Sequence, residues 1–333
     1  MKQFALAPYF HPTTVCVVDD NESFADSLSF ELPRTWACRT FADPLAARDF
    51  LNEKPALAPL ADRCFTFDTP APSAATIHLD LSLIEQEINH VQRFRRVSVL
   101  VVDYAMPSLN GLELCAQLDD PYLKKVMLTG VADEKLAVEA FNAGLIHRFV
   151  PKQSAGAIST AIAYMRELQQ EYFNQHSARL QNTLAISPPP FLVDPAIAGW
   201  IVSLMQRERF VEYYLVDEPP GLMLLRSDGS MQRLMIFTAE ALTEQLQHAT
   251  RYGAPADVRN AIEARHAVCL LDGDDPSGYF GSEQYPWREN LVPVEPVSGS
   301  IDWFVAVSKN PPADIDFDPA LASYDAYLSS VGR

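Results

Sequence analysis

Two continuous apolar runs, each followed at once by aspartate, constrain the fold of this chain most strongly. Thr13 to Val18 (TTVCVV) precedes Asp19 and Asp20, and Val97 to Val102 (VSVLVV) precedes Asp103. Short continuous runs that are rich in β-branched residues are typical of strands buried on both faces of a parallel sheet. Parallel strands end at a common edge, so the two runs predict a sheet with an acidic edge.

Strand and helix patterns alternate around these two runs. Helices are predicted at 21–30, 43–53, 82–94, 112–118 and 133–142, and further strands at 35–40, 124–128 and 147–150. Ser82 and Glu85 have the spacing of a capping box at the start of the helix at 82–94. Such alternation predicts a doubly wound α/β domain with five parallel strands, flavodoxin-like, in the order 2-1-3-4-5.

The carboxylates after the first and third strands of that order would share one pocket, because these two strands are neighbours. Asp19, Asp20 and Asp103 carry like charges, which raise one another's pKa unless a cation neutralises them. A hard divalent ion with oxygen ligands meets this need, and Mg²⁺ is the common cellular one. The same ion can hold a phosphoryl group that is being transferred to a carboxylate nucleophile.

Two other strand ends supply groups that suit this chemistry. Thr129 follows KKVML and offers a hydroxyl to a phosphoryl oxygen. Lys152 follows HRFVP and offers a positive charge to a carboxylate or a phosphoryl group. One aspartate at a strand end is usually a turn former or a helix cap, but the whole set favours phosphoryl chemistry.

The segment VVDYAMPSLNGLEL completes a family resemblance. It matches the D-x-x-M-P-x-x-x-G loop of the receiver domain of two-component response regulators at Asp103, Met106, Pro107 and Gly111. With the other strand-end residues, the chain resembles that family over about residues 13–170.

This resemblance implies roles for the pocket residues. Asp103 is then the phosphoacceptor, Asp19 and Asp20 hold Mg²⁺ together with it, and Thr129 and Lys152 contact the phosphoryl group. The expected phosphodonor is a histidine kinase or a phosphotransfer protein. Only Mg²⁺-dependent self-phosphorylation and dephosphorylation are expected as enzymatic chemistry.

Three features near the motif need separate interpretation. Phe149, three residues before Lys152, matches the position of the family's switch aromatic, although an aromatic on a short strand is often plain core. The family usually has proline directly after the lysine, whereas here Pro151 precedes it and Gln153 follows, which affects the expected loop geometry. The segment 55–96 is longer than its counterpart in a typical receiver, and either a partner surface or a neutral insertion explains it.

The predicted domains are a receiver at 1–153 with an insertion at 55–96, a long helix at 154–187, and an output domain at 191–333. The helix carries an apolar stripe at helical spacing and ends before three prolines at 188–190. The stripe consists of Ile158, Ile162, Met165, Leu168 and Tyr172. It favours homodimerisation, and a rigid spacer is the alternative.

The output half is predicted to be a mixed α/β unit, with a hairpin turn at Asp228-Gly229 and one strand at 291–297. Its element order loosely resembles a PAS-like domain. A protein partner is the favoured interpretation, with surface roles for Tyr213, Tyr214, Trp287 and Trp303, although such aromatics are also typical of a core. A small-molecule or nucleotide site, with or without enzymatic activity, is the alternative. The segment 272–289 is interpreted as a solvated acidic loop rather than a metal site.

Composition narrows the partner classes. The chain has 43 acidic and 26 basic residues and a net charge of −17, so a transcriptional regulator that binds DNA ranks last. Five cysteines without metal-ligand spacing, and no apolar run long enough to span a membrane, favour a cytoplasmic protein without structural zinc.

Overall fold

The computed structural model describes residues 4–54, 58–68, 76–130, 134–184, 188–269, 280, 291–308 and 315–332. Apart from Phe280, the predicted acidic loop at 272–289, which includes Trp287, therefore lies outside the described residues. The strands are, in chain order, β1 Tyr9–Phe10, β2 Thr14–Val18, β3 Cys38–Phe41, β4 Phe65–Asp68, β5 Thr76–Leu79, β6 Val97–Asp103, β7 Lys124–Thr129, β8 Arg148–Pro151, β9 Phe210–Val216, β10 Gly221–Arg226, β11 Met231–Phe237, β12 Ala267–Cys269, β13 Leu291–Pro293, β14 Glu295–Ser298 and β15 Asp302–Val307.

The α-helices complete the element order. They are α1 Glu22–Glu31, α2 Pro44–Leu51, α3 Leu60–Arg63, α4 Ser82–Gln86, α5 Gly111–Ala116, α6 Glu134–Asn142, α7 Ala157–His176, α8 Ala178–Leu184, α9 Pro195–Glu208, α10 Ala239–Arg251, α11 Ala256–Glu263, α12 Pro319–Ala322 and α13 Tyr324–Ser330. Short 3-10 turns occupy Glu87–Asn89, Val91–Arg95 and Pro190–Val193. Among the described residues, no helix is both long enough and apolar enough to cross a lipid bilayer.

The first sheet is parallel, and its five strands follow the order β3-β2-β6-β7-β8. This is the predicted doubly wound arrangement, and it is confirmed. Every residue of β2 is buried, because helices cover both faces of the sheet. Asn21 caps α1 and Asp43 caps α2 through their side chains, so each helix begins directly after the strand that precedes it.

The predicted long helix at 154–187 is interrupted. α7 ends at His176, and Ser177 separates it from α8. The Ser177 hydroxyl donates to the Phe173 carbonyl at 2.6 Å, and the Ser177 N–H donates to the same carbonyl at 2.9 Å. A serine that bonds back to the preceding turn competes with the regular helical ladder.

The apolar stripe of α7 faces the core of its own unit. Met165 and Leu168 are fully buried in one cluster with Val15 and Val99 of the sheet, and Ile158 and Ile162 pack at its edge. The stripe therefore completes the core on one side of the parallel sheet, and most of it is not available as a dimer seam.

Replacing Met165 by Ala should lower the free energy of unfolding by about 2–5 kcal/mol, because it leaves a cavity in this cluster. Gln170→Ala, at an exposed position of the same helix, is the matched control. Urea unfolding gives the stability, and light scattering gives the mass. If Met165→Ala kept wild-type stability but lowered the mass from dimer to monomer, the stripe would be a dimer seam after all.

The second sheet is antiparallel, with the order β1-β9-β10-β11-β15-β14. Its central hairpin turns at Gly229, whose φ of 85° is the left-handed conformation that the predicted Asp228-Gly229 turn requires. The run 291–297, predicted as one strand, is two: β13 pairs with β12, and β14 pairs with β15.

The aromatics proposed for an output surface lie in the core of this unit. Tyr213, Tyr214 and Trp303 are all buried. The Trp303 indole N–H donates to Asp194 at 2.8 Å, and Tyr214 donates to Glu212 at 2.6 Å. The polar ends of Trp303 and Tyr214 therefore have buried acceptors, and the three buried rings do not form a binding surface.

The two compact units are built from other stretches of chain than the predicted boundaries. The unit that contains the parallel sheet, called the first unit below, comprises His11–Asp62, His90–Ala178 and Ala326–Arg333. The unit that contains the second sheet comprises Met1–Phe10, Arg63–Asn89 and Arg179–Asp325. The N-terminal strand β1 joins the second sheet, where Tyr9 pairs with Tyr214. The last residues return to the first unit, where Tyr327 hydrogen-bonds Thr14 at 2.7 Å.

The middle of the predicted insertion belongs to the unit that contains the second sheet. β4 and β5 form a hairpin, and α4 packs against β9. The predicted helix 82–94 is a short helix followed by 3-10 turns, and the predicted Ser82–Glu85 capping box is absent. Ser82 instead donates to Asp80, and Glu85 pairs with Arg233 at 3.2 Å. Arg233 is buried, so this ion pair ties the insertion to the second sheet.

His11 should contribute to the pH dependence of stability, because it takes up a proton when the protein unfolds at acidic pH. Burial is the main reason that the pKa of His11 falls from 6.5 to about 3; its ring packs against Phe94 and Phe173. The unfolded chain binds this proton near pH 6.5 and the folded chain does not, so the stabilisation is complete above that pH and is lost as pH falls. From His11 alone, the free energy of unfolding should drop by about 1.4 kcal/mol per pH unit between about pH 6.5 and 3.

The measurement is urea unfolding of three proteins between about pH 7.5 and 5.5. His11→Gln should reduce the slope of stability against pH relative to the wild type. His248→Gln removes an exposed histidine and should leave the slope unchanged. An unchanged slope in His11→Gln would contradict the assignment.

Candidate functional site

The functional residues lie where the parallel strands of the first sheet end. β2 ends at Val18, directly before Asp19, and β6 ends at Asp103. β2 pairs with β6, so the two strand ends are neighbours, as the order 2-1-3-4-5 predicted. Carboxylate oxygens of Asp19, Asp20 and Asp103 all lie within 4.8 Å of one another.

The Lys152 amine lies between two of these carboxylates. Its Nζ atom is 2.7 Å from Asp19 Oδ2 and 3.0 Å from Asp103 Oδ1. Asp19 is fully buried and Asp103 is nearly so, whereas Asp20 is exposed. A buried carboxylate needs such a charge partner, and one amine serves both.

The proline before the lysine does not displace the amine from the site. β8 is an edge strand, where a proline is tolerated because no second ladder needs its N–H. Pro151 pairs with Thr129, and the Lys152 N–H donates to the Thr129 carbonyl at 2.9 Å. The sheet register therefore places Lys152 beside the strand end that carries Thr129.

Thr129 presents an unsatisfied hydroxyl. Asp103 pairs with Leu128 across β6 and β7, so Thr129 is the next residue along that edge. Its Oγ1 atom is buried and has no hydrogen-bond partner within the part of the chain that the structure describes. A buried hydroxyl without a partner destabilises the folded state unless a ligand oxygen accepts a hydrogen bond from it.

The pKa of Asp103 is raised above its usual value even though Lys152 lies beside it. Burial is the main cause that raises its pKa, the Lys152 amine opposes this rise, and the nearby Asp19 carboxylate adds to it. One lysine thus does not fully compensate the acidic cluster. The donor set, three carboxylates in close range, fits a hard divalent cation such as Mg²⁺.

The loop after Asp103 is held in place by close packing. Met106 and Leu109 are buried in the core on one side of the sheet. A Cβ atom on Gly111 would overlap the Asp103 backbone oxygen and would lie 3.2 Å from Tyr104 Cα. Glycine is needed because α5 begins against the end of β6, and Asn110 and Glu113 cap that helix reciprocally.

Replacing Gly111 by Ala should therefore lower the free energy of unfolding by more than about 1 kcal/mol, since backbone atoms must move. Gly199→Ala is the matched control, because nothing lies within 4 Å of a Cβ at that exposed helical position. There the change should raise stability by up to about 1 kcal/mol. Thermal unfolding of both variants measures the two signs. Equal effects would mean that the loop adapts to the methyl group.

Phe149 is half-buried, and its ring packs at the edge of the core that contains Met127 and Ile146. Its switch role stays a prediction.

Two neighbours of the site were not found from the sequence. Phe24 on α1 lies under the Lys152 amine, 4.8 Å from ring centroid to Nζ, and the Asn21 N–H donates to Asp19 Oδ1 at 3.0 Å. The Asn21 cap was readable as a helix start, but no sequence pattern indicated the Phe24 contact.

Comparisons with known proteins agree with this geometry. The model of the response regulator receiver domain matches residues 81–163, which include Asp103, Thr129 and Lys152 but not Asp19 and Asp20. A search of the curated proteins found no match.

Among solved structures, the Legionella pneumophila response regulator LqsR is similar over 98% of this chain and 96% of its own, with 28% identity and a TM-score of 0.76. The Francisella response regulator 1452 receiver domain is 15% identical, with a TM-score of 0.32, over 47% of this chain and 97% of its own. An adenylate cyclase from Rhodopirellula baltica is 20% identical, with a TM-score of 0.35, over 52% and 97%.

Proposed function

We propose that this chain, a response regulator of two-component signalling with a receiver domain, accepts a phosphoryl group on Asp103. The observation that carries the proposal is the Lys152 amine, which lies within 3.0 Å of both Asp19 and Asp103 beside the orphaned Thr129 hydroxyl. Asp103 offers the carboxylate that an aspartyl phosphate needs. Lys152 offers a positive charge to the phosphoryl oxygens, and Thr129 offers a hydroxyl that can donate a hydrogen bond to them.

In the proposed step, an oxygen of Asp103 attacks the phosphorus of a phosphorylated histidine or of a small acyl phosphate. A new P–O bond forms at Asp103, and the bond from phosphorus to the donor atom breaks, so the donor leaves with its electron pair. Lys152 and Thr129 then face the oxygens of the phosphoryl group. Because the lysine stands between two carboxylates before transfer, it can follow the new charge without leaving Asp19 unpaired.

Asp19, Asp20 and Asp103 would hold Mg²⁺ in this proposal. Bound there, the ion would neutralise the carboxylates and the incoming phosphate. Asp20 is exposed whereas Asp19 and Asp103 are buried, so the cluster reaches solvent at Asp20.

The signal would pass from this site to the unit that contains the second sheet and then to a protein partner. The net charge of −17 supports a protein rather than a nucleic acid, because phosphate backbones are repelled. A homodimer also stays a prediction; the light scattering comparison of Met165→Ala with the wild type tests the helix at 154–187 as its seam.

Asp103→Asn should abolish labelling by radioactive acetyl phosphate in the presence of Mg²⁺, because the amide oxygen is not a nucleophile of comparable strength. Asp49→Asn, at an exposed aspartate that pairs with Arg48, is the matched control and should label like the wild type. Chelation of Mg²⁺ should suppress labelling of the wild type at least tenfold.

Thermal unfolding shows whether each variant is folded. Labelling of a folded Asp103→Asn protein at the wild-type stoichiometry would refute the assignment. Full labelling in excess chelator would refute the metal role alone.

A further inference from the structure

The Lys152 amine has a third neighbour besides Asp19 and Asp103. It lies 4.8 Å from the centroid of the Phe24 ring. A cation within about 6 Å of an aromatic ring is attracted by the ring's quadrupole, and the attraction grows as water is removed. The Lys152 side chain is 21% exposed, so its charge is largely withdrawn from water.

The backbone around Lys152 gives the side chain little guidance. Glutamine rather than proline follows the lysine, and the Lys152 backbone N–H donates to the Thr129 carbonyl at 2.9 Å. A lysine side chain has four rotatable bonds, so a fixed Cα does not fix its amine. Contacts at the amine itself must therefore determine where the charge lies.

Phe24 is itself held firmly. Its backbone N–H donates to the Asn21 side chain at 3.2 Å, in the cap that begins α1. Its ring packs at the edge of the core cluster that includes Val15 and Val17 of β2. The same Asn21 also donates its backbone N–H to Asp19. The ring and the Asp19 carboxylate thus share one rigid support.

We propose that Phe24 is a positioning residue that holds the Lys152 amine against Asp103 for phosphoryl transfer. The proposal rests on the proposed phosphorylation of Asp103. The ring does not touch the reacting atoms; it restricts the positions of the amine, whereas the two carboxylates alone attract it without limiting its approach from the open side.

The test uses the full-length protein with acetyl phosphate and Mg²⁺, and it measures the phosphorylation rate at saturating donor. Phe24→Leu keeps an apolar side chain but removes the quadrupole, and it should lower this rate about fivefold, equivalent to about 1 kcal/mol. Phe24→Tyr keeps the aromatic face and should stay within about twofold of the wild type.

Tyr164→Leu is the matched control. Tyr164 also lies at the edge of the same core cluster, and its ring faces Arg148 at 5.7 Å, away from the named site residues. It should phosphorylate within about twofold of the wild type. A loss in Tyr164→Leu equal to that in Phe24→Leu would show that core packing is responsible, and so would a failure of Phe24→Tyr to rescue the rate.

A double-mutant cycle with Lys152→Met tests whether Phe24 acts through the Lys152 amine. If Phe24 acts through the amine, adding Phe24→Leu to Lys152→Met should change the residual rate less than twofold. A further fivefold loss would overturn the positioning role. A wild-type protein that takes no label would instead overturn the proposed function, and equal rates for the labelled wild type and Phe24→Leu would overturn only the inference.

Discussion

The structure of the first unit depends on one arrangement of charge: an amine held between two carboxylates at the edge of an apolar sheet. Asp19 directly follows β2 and Asp103 ends β6, and both side chains are buried. Removal of Lys152 would leave both carboxylates without a cation, which costs several kcal/mol for buried groups. The sheet order makes this arrangement possible, because the adjacent strands β2 and β6 bring both carboxylates to one amine.

Much of this unit could be predicted, because its determinants are local in sequence. The runs that form β2 and β6 are rich in β-branched residues, and a charged residue at the end of such a run lies at the sheet edge. Asp103, Thr129 and Lys152 were found in this way. The contact between Phe24 and Lys152 could not be found, because it depends on the side-chain conformations of a helix residue and a strand-end residue 128 positions apart. Likewise, the stripe of α7 indicates that one face is buried, but not that the chain's own sheet covers it.

Assignment of segments to units was beyond sequence reasoning for a related reason. Periodicity shows that a segment is amphipathic, whereas the core that it joins depends on partners distant in the chain. The ion pair of Glu85 with Arg233 joins residues 148 positions apart, and the pairing of Tyr9 with Tyr214 spans more than 200. The run 291–297 was misjudged similarly, because alternation cannot show that its two halves pair with different strands.

The distribution of chain between the units bears on how phosphorylation would be read out. Residues 11–13 alone separate β1, in the second sheet, from β2, which leads to Asp19. Residues 90–96 alone separate the segment 63–89 from β6, which ends at Asp103. A ligand shifts a conformational equilibrium only by its differential affinity for the two states, so a phosphoryl group must favour one strand arrangement over another. Both acidic strands are therefore connected to elements of the other unit by short stretches of backbone, residues 11–13 and 90–96. A long flexible linker would not impose this constraint, since it absorbs displacement at little cost.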